Sequence, residues 1–394
     1  MPIITETNYV ESNLSNKGIY QKNKVEKMGI PEKIKAIQDE MARTQINKAT
    51  EHHLGLLKAK IAKLKKEQET DQIKKSSKKS DGFDVKRTGD ATVVFIGLPS
   101  VGKSTLLNKL TGSKSAIGAY QFTTLTVVPG VLEHRGAKIQ MLDLPGIIKG
   151  ASTGKGLGRR ILSVARSADI VLLVLDVFQP YHEDVLIKEL ANIGIRLNQN
   201  PPNIVIEKST TGGIAVAQQV KLKKMSEKLL KEILNVYGYT SARVVIREDI
   251  DSEQLIDFVT GNKTYAKAIT ILNKIDLVDE KFLKKAKKKI KSDVITVSAD
   301  SDINIDKLRD KIYDELQFIR IYMRPKGGET DFKEPLIIRE DSSVLDVCNK
   351  LHRKMKKDFR FGLVWGKSVK FGGQRVGLSH ILQDEDVLTI IKRK

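Results

Sequence analysis

The sequence predicts an α/β chain built on a parallel sheet, with a helical hairpin before it and a small α+β module after it. Three observations carry this. Between about residue 90 and residue 318, short and nearly uninterrupted apolar runs alternate with helical patterns, as in βα units whose sheet is covered on both faces. The stretch GLPSVGKS, residues 97–104, falls between one such strand and a helix-like run. Outside those limits the periodicity changes on both sides.

Taken in order, residues 1–30 are polar and aperiodic and read as a flexible tail. Residues 31–72 place Ile34, Ile37 and Met41, then Leu57, Ile61 and Leu64, at helical spacing. Two helices joined near NKATEHH follow, a helix-turn-helix in which His52 and His53 are surface or capping residues rather than metal ligands. Residues 73–88 form a basic linker containing Ser and Gly. The α/β domain spans 89–318, with strands in ATVVFI, KIQMLDLPG, ADIVLLVLDV, AITILNKIDL and DVITVSAD.

One step is too wide: roughly 95 residues separate Asp176 from Asn273, where a βαβ step needs about thirty. The excess holds a hairpin candidate, NQNPPNIVIEKSTTGGIAV, and the amphipathic KLKKMSEKLLKEIL, so a small α+β lobe is expected at 181–247. Residues 319–394 read as a separate module. Its strands are EPLIIRE, FGLVWGKSVK and DEDVLTIIKRK, and its helix carries Val344, Val347, Cys348, Leu351 and Met355 on one face.

Composition narrows the classes. Hydrophobic residues make up 40% of the chain, enough for real cores, and no run approaches a membrane span. The first residues lack the apolar core of a signal peptide. A single cysteine, Cys348, excludes an internal disulfide and a cysteine-clustered zinc site. These features point to a cytoplasmic protein with no membrane role. The net charge of +21 points to polyanionic partners, RNA or ribosomes foremost.

GLPSVGKS fits the phosphate loop G-x-x-x-x-G-K-[ST]. Its backbone N–H groups are expected to curl around phosphates at a helix N-terminus, with the nucleotide against Gly97, Pro99, Ser100, Val101, Gly102, Lys103, Ser104 and Thr105. Lys103 is expected on the β- and γ-phosphates and Ser104 on Mg²⁺. Asp143, at the end of a strand, is expected to hold the same ion through water. Gly146 can offer its N–H to a γ-phosphate whose loss releases the following loop. A hydroxyl between these motifs should join Mg²⁺ only when the γ-phosphate is present. Thr123 and Thr124 are the candidates, with Thr124 favoured.

In NKID, residues 273–276, the Asp276 carboxylate can accept both the N1 and N2 hydrogens of guanine, which selects GTP over ATP. Asn273 would brace the phosphate loop, Lys274 would lie over the ring, and the backbone at Ser298–Ala299 would face the guanine O6. After D-x-x-G, Ile147 stands where Ras-like switches use a water-orienting glutamine. The glycine-rich, cationic loop IKGASTGKGLGRR follows. The residues with catalytic roles are therefore Lys103, Thr124 and Gly146, and slow intrinsic turnover is expected.

GLPSVGKSTLLNKL, YQFTTLTVVPGV, GAKIQMLDLPGIIKGASTGKGLGR, GIRLNQNPPNIVIEK and LNKID closely resemble the developmentally regulated GTP-binding proteins, relatives of the Obg group. EMARTQINKATEHHLGLLKAKIAKL resembles that family's helix-turn-helix, and IRIYMRPKG with LVWGKSVKFGGQRVG resembles its C-terminal TGS domain, a β-grasp-like fold.

The resemblance implies a cytoplasmic GTPase that associates with ribosomes and RNA and helps relieve stalled translation. It implies a stabilising protein partner in some members. It also implies stimulation by K⁺, an ion often held by a phosphate-loop asparagine where this chain has Ser100. Two other readings remain: an Obg-like ribosome-assembly GTPase, and an RNA-binding scaffold with structural GTP. Specific DNA binding is not expected.

Overall fold

The computed structural model describes residues 29–47, 49–75, 88–112, 128–144, 164–352 and 354–393. They belong to two units, one drawn from residues 1–82 and 200–263, the other from 83–199 and 264–394. No helix among the described residues is long and apolar enough to cross a membrane.

The second unit is organised by β1 (Ala91–Ile96), whose six residues are all buried. Parallel neighbours flank it: β3 (Ala137–Asp143) on one side and β4 (Ile170–Asp176) on the other. The sheet runs β10 (Val294–Thr296), β9 (Thr264–Asn273), β4, β1, β3, β2 (Val128–His134), with β5 (Ile195–Leu197) also beside β9. Only β2 is antiparallel, paired with β3.

Side chains alternate through the sheet, as a period of two requires. Val93, Phe95, Leu172 and Val174 enter one core with Leu106, Leu107 and Leu110 of α3 (Lys103–Thr111) and Leu308 and Ile312 of α8 (Ile305–Leu316). Val94, Ile96, Leu173 and Leu175 enter the other with Leu186 and Leu190 of α4 (His182–Asn192) and Ala286 of α7 (Glu280–Lys287). Both faces are covered, which is why these strands read as continuous apolar runs.

The same unit ends in the C-terminal module whose sequence resembles a TGS domain. Its sheet runs β12 (Leu336–Arg339), β11 (Phe318–Met323), β15 (Val387–Lys392), β13 (Phe359–Trp365), β14 (Gln374–Val376), with β11 and β15 parallel and the other pairs antiparallel. Helix α9 (Val344–Leu351) starts at a Ser343/Asp346 capping box and buries Val344, Val347 and Cys348. The expected apolar face is shorter than its sequence pattern. The helix stops at Leu351, which is exposed, and Met355 reaches the core from a separate turn, α10 (Met355–Asp358). Lys350 Nζ bonds Asp90 at 2.7 Å, and Arg339 pairs with Asp169, so two ion pairs tie the module to the edge of the central domain.

The first unit joins the N-terminal hairpin, α1 (Ile30–Arg43) and α2 (Glu51–Lys75), to an inserted lobe. The lobe's sheet is β6 (Ile204–Lys208), β8 (Ala242–Ile246), β7 (Ile214–Gln218). Ala59 of α2 is fully buried with Leu230, Ile233 and Leu234 of α5 (Glu227–Val236), Val244 and Ile246 of β8, and Leu255 of α6 (Ser252–Thr260). Two lysines of α2 reach the carbonyl ends of lobe helices: Lys63 Nζ bonds Val236 O and Lys66 Nζ bonds Thr260 O, both at 2.8 Å.

The structure departs from two expectations. The lobe was expected at 181–247, but α4 packs on the central sheet and β5 extends it, so those residues complete an ordinary crossover. The lobe unit instead runs over 200–263. The hairpin candidate is not a hairpin either: β6 is antiparallel to β8 and β7 is parallel to it. β8 buries Ala242, Val244 and Ile246 and takes the centre, where a strand is shielded on both edges.

Candidate nucleotide-binding site

Every candidate residue that the structure describes lies at the carboxyl edge of the central sheet. The phosphate loop leaves β1, Asp143 ends β3, Asp176 ends β4, Asn273 ends β9, and Ser298 follows β10. Open α/β sheets bind ligands at this edge, where loops from neighbouring strands converge.

The loop's glycines have distinct reasons. A Cβ on Gly97 would lie 2.5 Å from the Val174 carbonyl oxygen, because the chain turns directly against β4. Gly102 has φ +89° and opens helix α3, and a Cβ there would lie 2.3 Å from Nδ2 of Asn273. Ser100, at the exposed crest, also has positive φ (63°). Val101 is buried and Pro99 is exposed. Thr105 lies half-buried in the first turn of α3.

Asn273 joins two loops. Its Nδ2 donates to Val101 O at 2.9 Å, and its Oδ1 accepts from Ala299 N at 3.1 Å. It is itself 2% exposed. Within the Ser298–Ala299 backbone expected to face the guanine O6, the Ala299 N–H thus already has a protein partner. Ser298 is fully buried, its Oγ accepting from Ser301 N at 3.0 Å. Lys274 has positive φ (66°) and donates both to Ser100 O (2.7 Å) and to Asp176 Oδ2 (2.8 Å). Asp276 sits exposed in the 3₁₀ turn Ile275–Leu277.

Asp176 was missed in the sequence. Its signal was its place, a polar residue ending a buried strand as Asp143 and Asn273 do. Its second oxygen accepts from Phe178 N at 2.9 Å, which fixes the carboxylate for Lys274.

Lys103 is 7% exposed, and its Nζ donates to Leu98 O at 3.0 Å. Burial pulls its ammonium below the ordinary lysine pKa, and the Asp143 carboxylate acts in the opposite direction. Phosphate oxygens at this point would favour the charged form.

Ser104 Oγ lies 2.6 Å from Asp143 Oδ2, while Asp143 Oδ1 is buried without a hydrogen-bond partner among the described residues. A hydroxyl and a carboxylate side by side, with one buried oxygen unsatisfied, suit a small hard cation that keeps water and phosphate as its other ligands. Thr123, Thr124, Gly146 and Ile147 lie outside the described residues.

A second cationic face lies on the TGS module. Arg324 stacks over Trp365 at 5.0 Å, and Arg375 and Arg360 over Phe361 at 4.7 and 5.8 Å. With Lys326 they line a cavity of about 400 Å³. Guanidinium groups beside aromatic faces can take a phosphate and an unpaired base together.

A phosphate loop, an adjacent hydroxyl–carboxylate pair and the NKID turn, on a parallel sheet followed by a TGS module, define a P-loop GTPase. Three family models match in series: the 50S ribosome-binding GTPase over residues 92–208, the C-terminal region of that domain over 211–318, and the TGS domain over 319–392.

A GTP-binding protein of Methanocaldococcus jannaschii is 52% identical over 93% of this chain and 94% of its own length. The ribosome-interacting GTPase 1 of Saccharomyces cerevisiae is 47% identical, covering 92% and 99%. The developmentally-regulated GTP-binding protein 2 of Homo sapiens is 44% identical, covering 93% and 100%. The chain belongs to the developmentally regulated GTP-binding protein family, and it binds GTP and hydrolyses it.

Proposed function

We propose that this GTPase works as a ribosome- and RNA-associated switch in translation, acting where ribosomes stall. The observation that carries the reading is the coupling of a braced nucleotide site to a strongly cationic chain: net charge +21, with an arginine–aromatic face on the TGS module. The ribosome-interacting name of the yeast relative supports it. An Obg-like role on free subunits is the second reading, favoured by the ribosome-binding description of the matching GTPase model. The place of action is the cytoplasm, and a stabilising protein partner fits the family.

Within the site, the amides of Gly97–Ser104 cradle the phosphates, with Pro99 and Ser100 at the crest and Thr105 in the first helical turn. Lys103 leaves Leu98 O for the β- and γ-phosphates. Asp276 reads guanine, with Lys274 along the ring and Ser298–Ala299 beside it. Asn273 holds the two loops in register, so the bound geometry is formed in advance. Ser104 and Asp143, with Thr124, would hold Mg²⁺. When bound, that ion neutralises charge on the phosphates. Gly146 offers its N–H to the γ-phosphate.

Ile147 cannot orient water, so intrinsic turnover is slow. Ser100 would offer K⁺ a neutral hydroxyl oxygen at the loop crest. The missing contribution comes from that ion or from a partner acting in trans, which can be worth roughly 10³–10⁵ in rate.

Steady-state GTP hydrolysis in potassium buffer, with and without purified translating ribosomes, tests this. Stimulation by translating ribosomes supports the translation switch. Stimulation by free large subunits alone transfers the reading to assembly. No response to either removes both.

A further inference from the structure

Helix α7 and the turn after it carry seven lysines between residues 281 and 291, against one acid, Glu280. All seven are exposed. Lys291 pairs with Asp184 at 2.9 Å and Lys284 only loosely with Glu280 at 3.8 Å. Lys281, Lys285, Lys287, Lys288 and Lys289 have no ion-pair partner among the described residues. The apolar face of this segment, Leu283, Ala286 and Ile290, packs on the central sheet, so the lysines stand outward. Like charges three and four residues apart on a helix repel. The sequence therefore keeps a self-repelling comb in which five of the seven lysines have no acid paired with them among the described residues.

An aromatic pair stands within this comb. Phe282 of α7 meets Phe178, just past β4, with ring centroids 5.9 Å apart and planes tilted by 58°. The two are 42% and 50% exposed, and Leu277 beside the NKID turn is 60% exposed. Exposed rings in a cationic field are what strand-tracking proteins use: phosphates lie along the lysines and bases stack on the rings. A membrane surface fits less well, because a helix lying in lipid needs a broad apolar face, and the apolar face of α7 is already buried.

The platform also adjoins the nucleotide loop. The backbone of Phe178 bonds Asp176, which holds Lys274, which holds Ser100 O.

We propose that α7, with Phe178 and Phe282, binds a single RNA strand beside the guanine end of the nucleotide site. This rests on the RNA-associated reading above and names where one contact is made.

The test is fluorescence anisotropy of the full chain, GDP-bound, with labelled single-stranded poly(U). The triple variant Lys284→Ala, Lys285→Ala, Lys288→Ala should weaken binding. It should also flatten the slope of log affinity against log salt by about 2, since each phosphate contact on a single strand contributes roughly 0.7. Phe282→Ala should weaken binding roughly 5- to 150-fold with the slope unchanged. GDP affinity should stay at the wild-type value in both.

Failure of the wild-type chain to bind poly(U), or a triple variant with wild-type affinity and slope, overturns the proposal. So does α7-dependent binding to phosphatidylserine vesicles with poly(U) binding untouched. Ribosome co-sedimentation of the wild-type chain separates the two levels. If it persists while the poly(U) slope is unaltered in the variant, only this face is wrong. If it is absent, the broader reading fails.

Discussion

Asn273→Ala is the substitution whose cost is most directly readable. The side chain is 2% exposed and satisfies two backbone groups, Val101 O at 2.9 Å and Ala299 N at 3.1 Å. Truncation leaves a buried carbonyl and a buried N–H without those partners. Each such group costs about 1–3 kcal/mol, so the pair spans about 2–6 kcal/mol. A loop that ends in exposed Pro99 and Ser100 can relax, which places the expected value near the low end, about 2–3 kcal/mol.

Nucleotide binding needs the braced loop, so that energy must be recovered on binding. GDP affinity should fall roughly 30- to 150-fold. Asn273→Asp keeps an acceptor for Ala299 N–H but sets a carboxylate oxygen against Val101 O. It should lose at least as much. Isothermal titration with GDP, paired with thermal melts, reads both. Affinities within about threefold of wild type for both variants would show that the loop holds its shape without Asn273.

Three further outcomes follow from particular contacts. Burial holds the free Lys103 ammonium below its ordinary 10.5, against the pull of Asp143. Affinity for a non-hydrolysable GTP analogue should therefore be full at neutral pH and decline as the pH rises, starting before 10.5 is reached, as the free lysine loses its proton. An identical decline in Lys103→Met would rule this out. Lys63→Met should remove the cap on the last turn of α5 and cost the first unit about 1 kcal/mol, and unchanged amide exchange at Leu234–Val236 would contradict it.

In the TGS module, burial acts to raise the Asp384 carboxyl, but hydrogen bonds from the Arg320 guanidinium and backbone N–H hold it below the usual range. A depressed folded-state value gives stability that is present above about pH 4 and lost as the pH falls through that value. Asp384→Asn should therefore be less stable at neutral pH and lose less on acidification. Parallel acid-melting curves would argue against the pair.

The candidate nucleotide site was legible in the sequence because its motifs are local. GLPSVGKS and NKID each carry their residue types within one turn, and the apolar strands before them fix where those turns stand. Lys274 was legible as a residue, but its partner Asp176 was not, because an aspartate closing ADIVLLVLD is also an ordinary strand end. The inserted lobe was legible as an excess of chain but not in its limits. His182–Asn192 has the amphipathic pattern of either a lobe helix or a crossover helix, and only packing of Leu186 and Leu190 on the sheet decides. The β6–β8–β7 order was hidden for a similar reason, since a glycine-containing gap between two apolar runs reads as a hairpin until a more buried strand comes between them.

The shared core of α2 and the lobe has a consequence for synthesis. Ala59 and Lys63 are emitted early, yet their partners Leu230, Val236 and Leu255 come some 170 to 195 residues later. At about 5–20 residues per second, an emerging α2 waits roughly ten to forty seconds for the rest of its core. Contacts that distant in sequence also slow folding itself. Throughout that interval the apolar side of the helix, Leu57, Ala59 and their neighbours, is open to whatever stands at the tunnel exit. The order of the chain thus makes its N-terminal hairpin dependent on protection while it is being made.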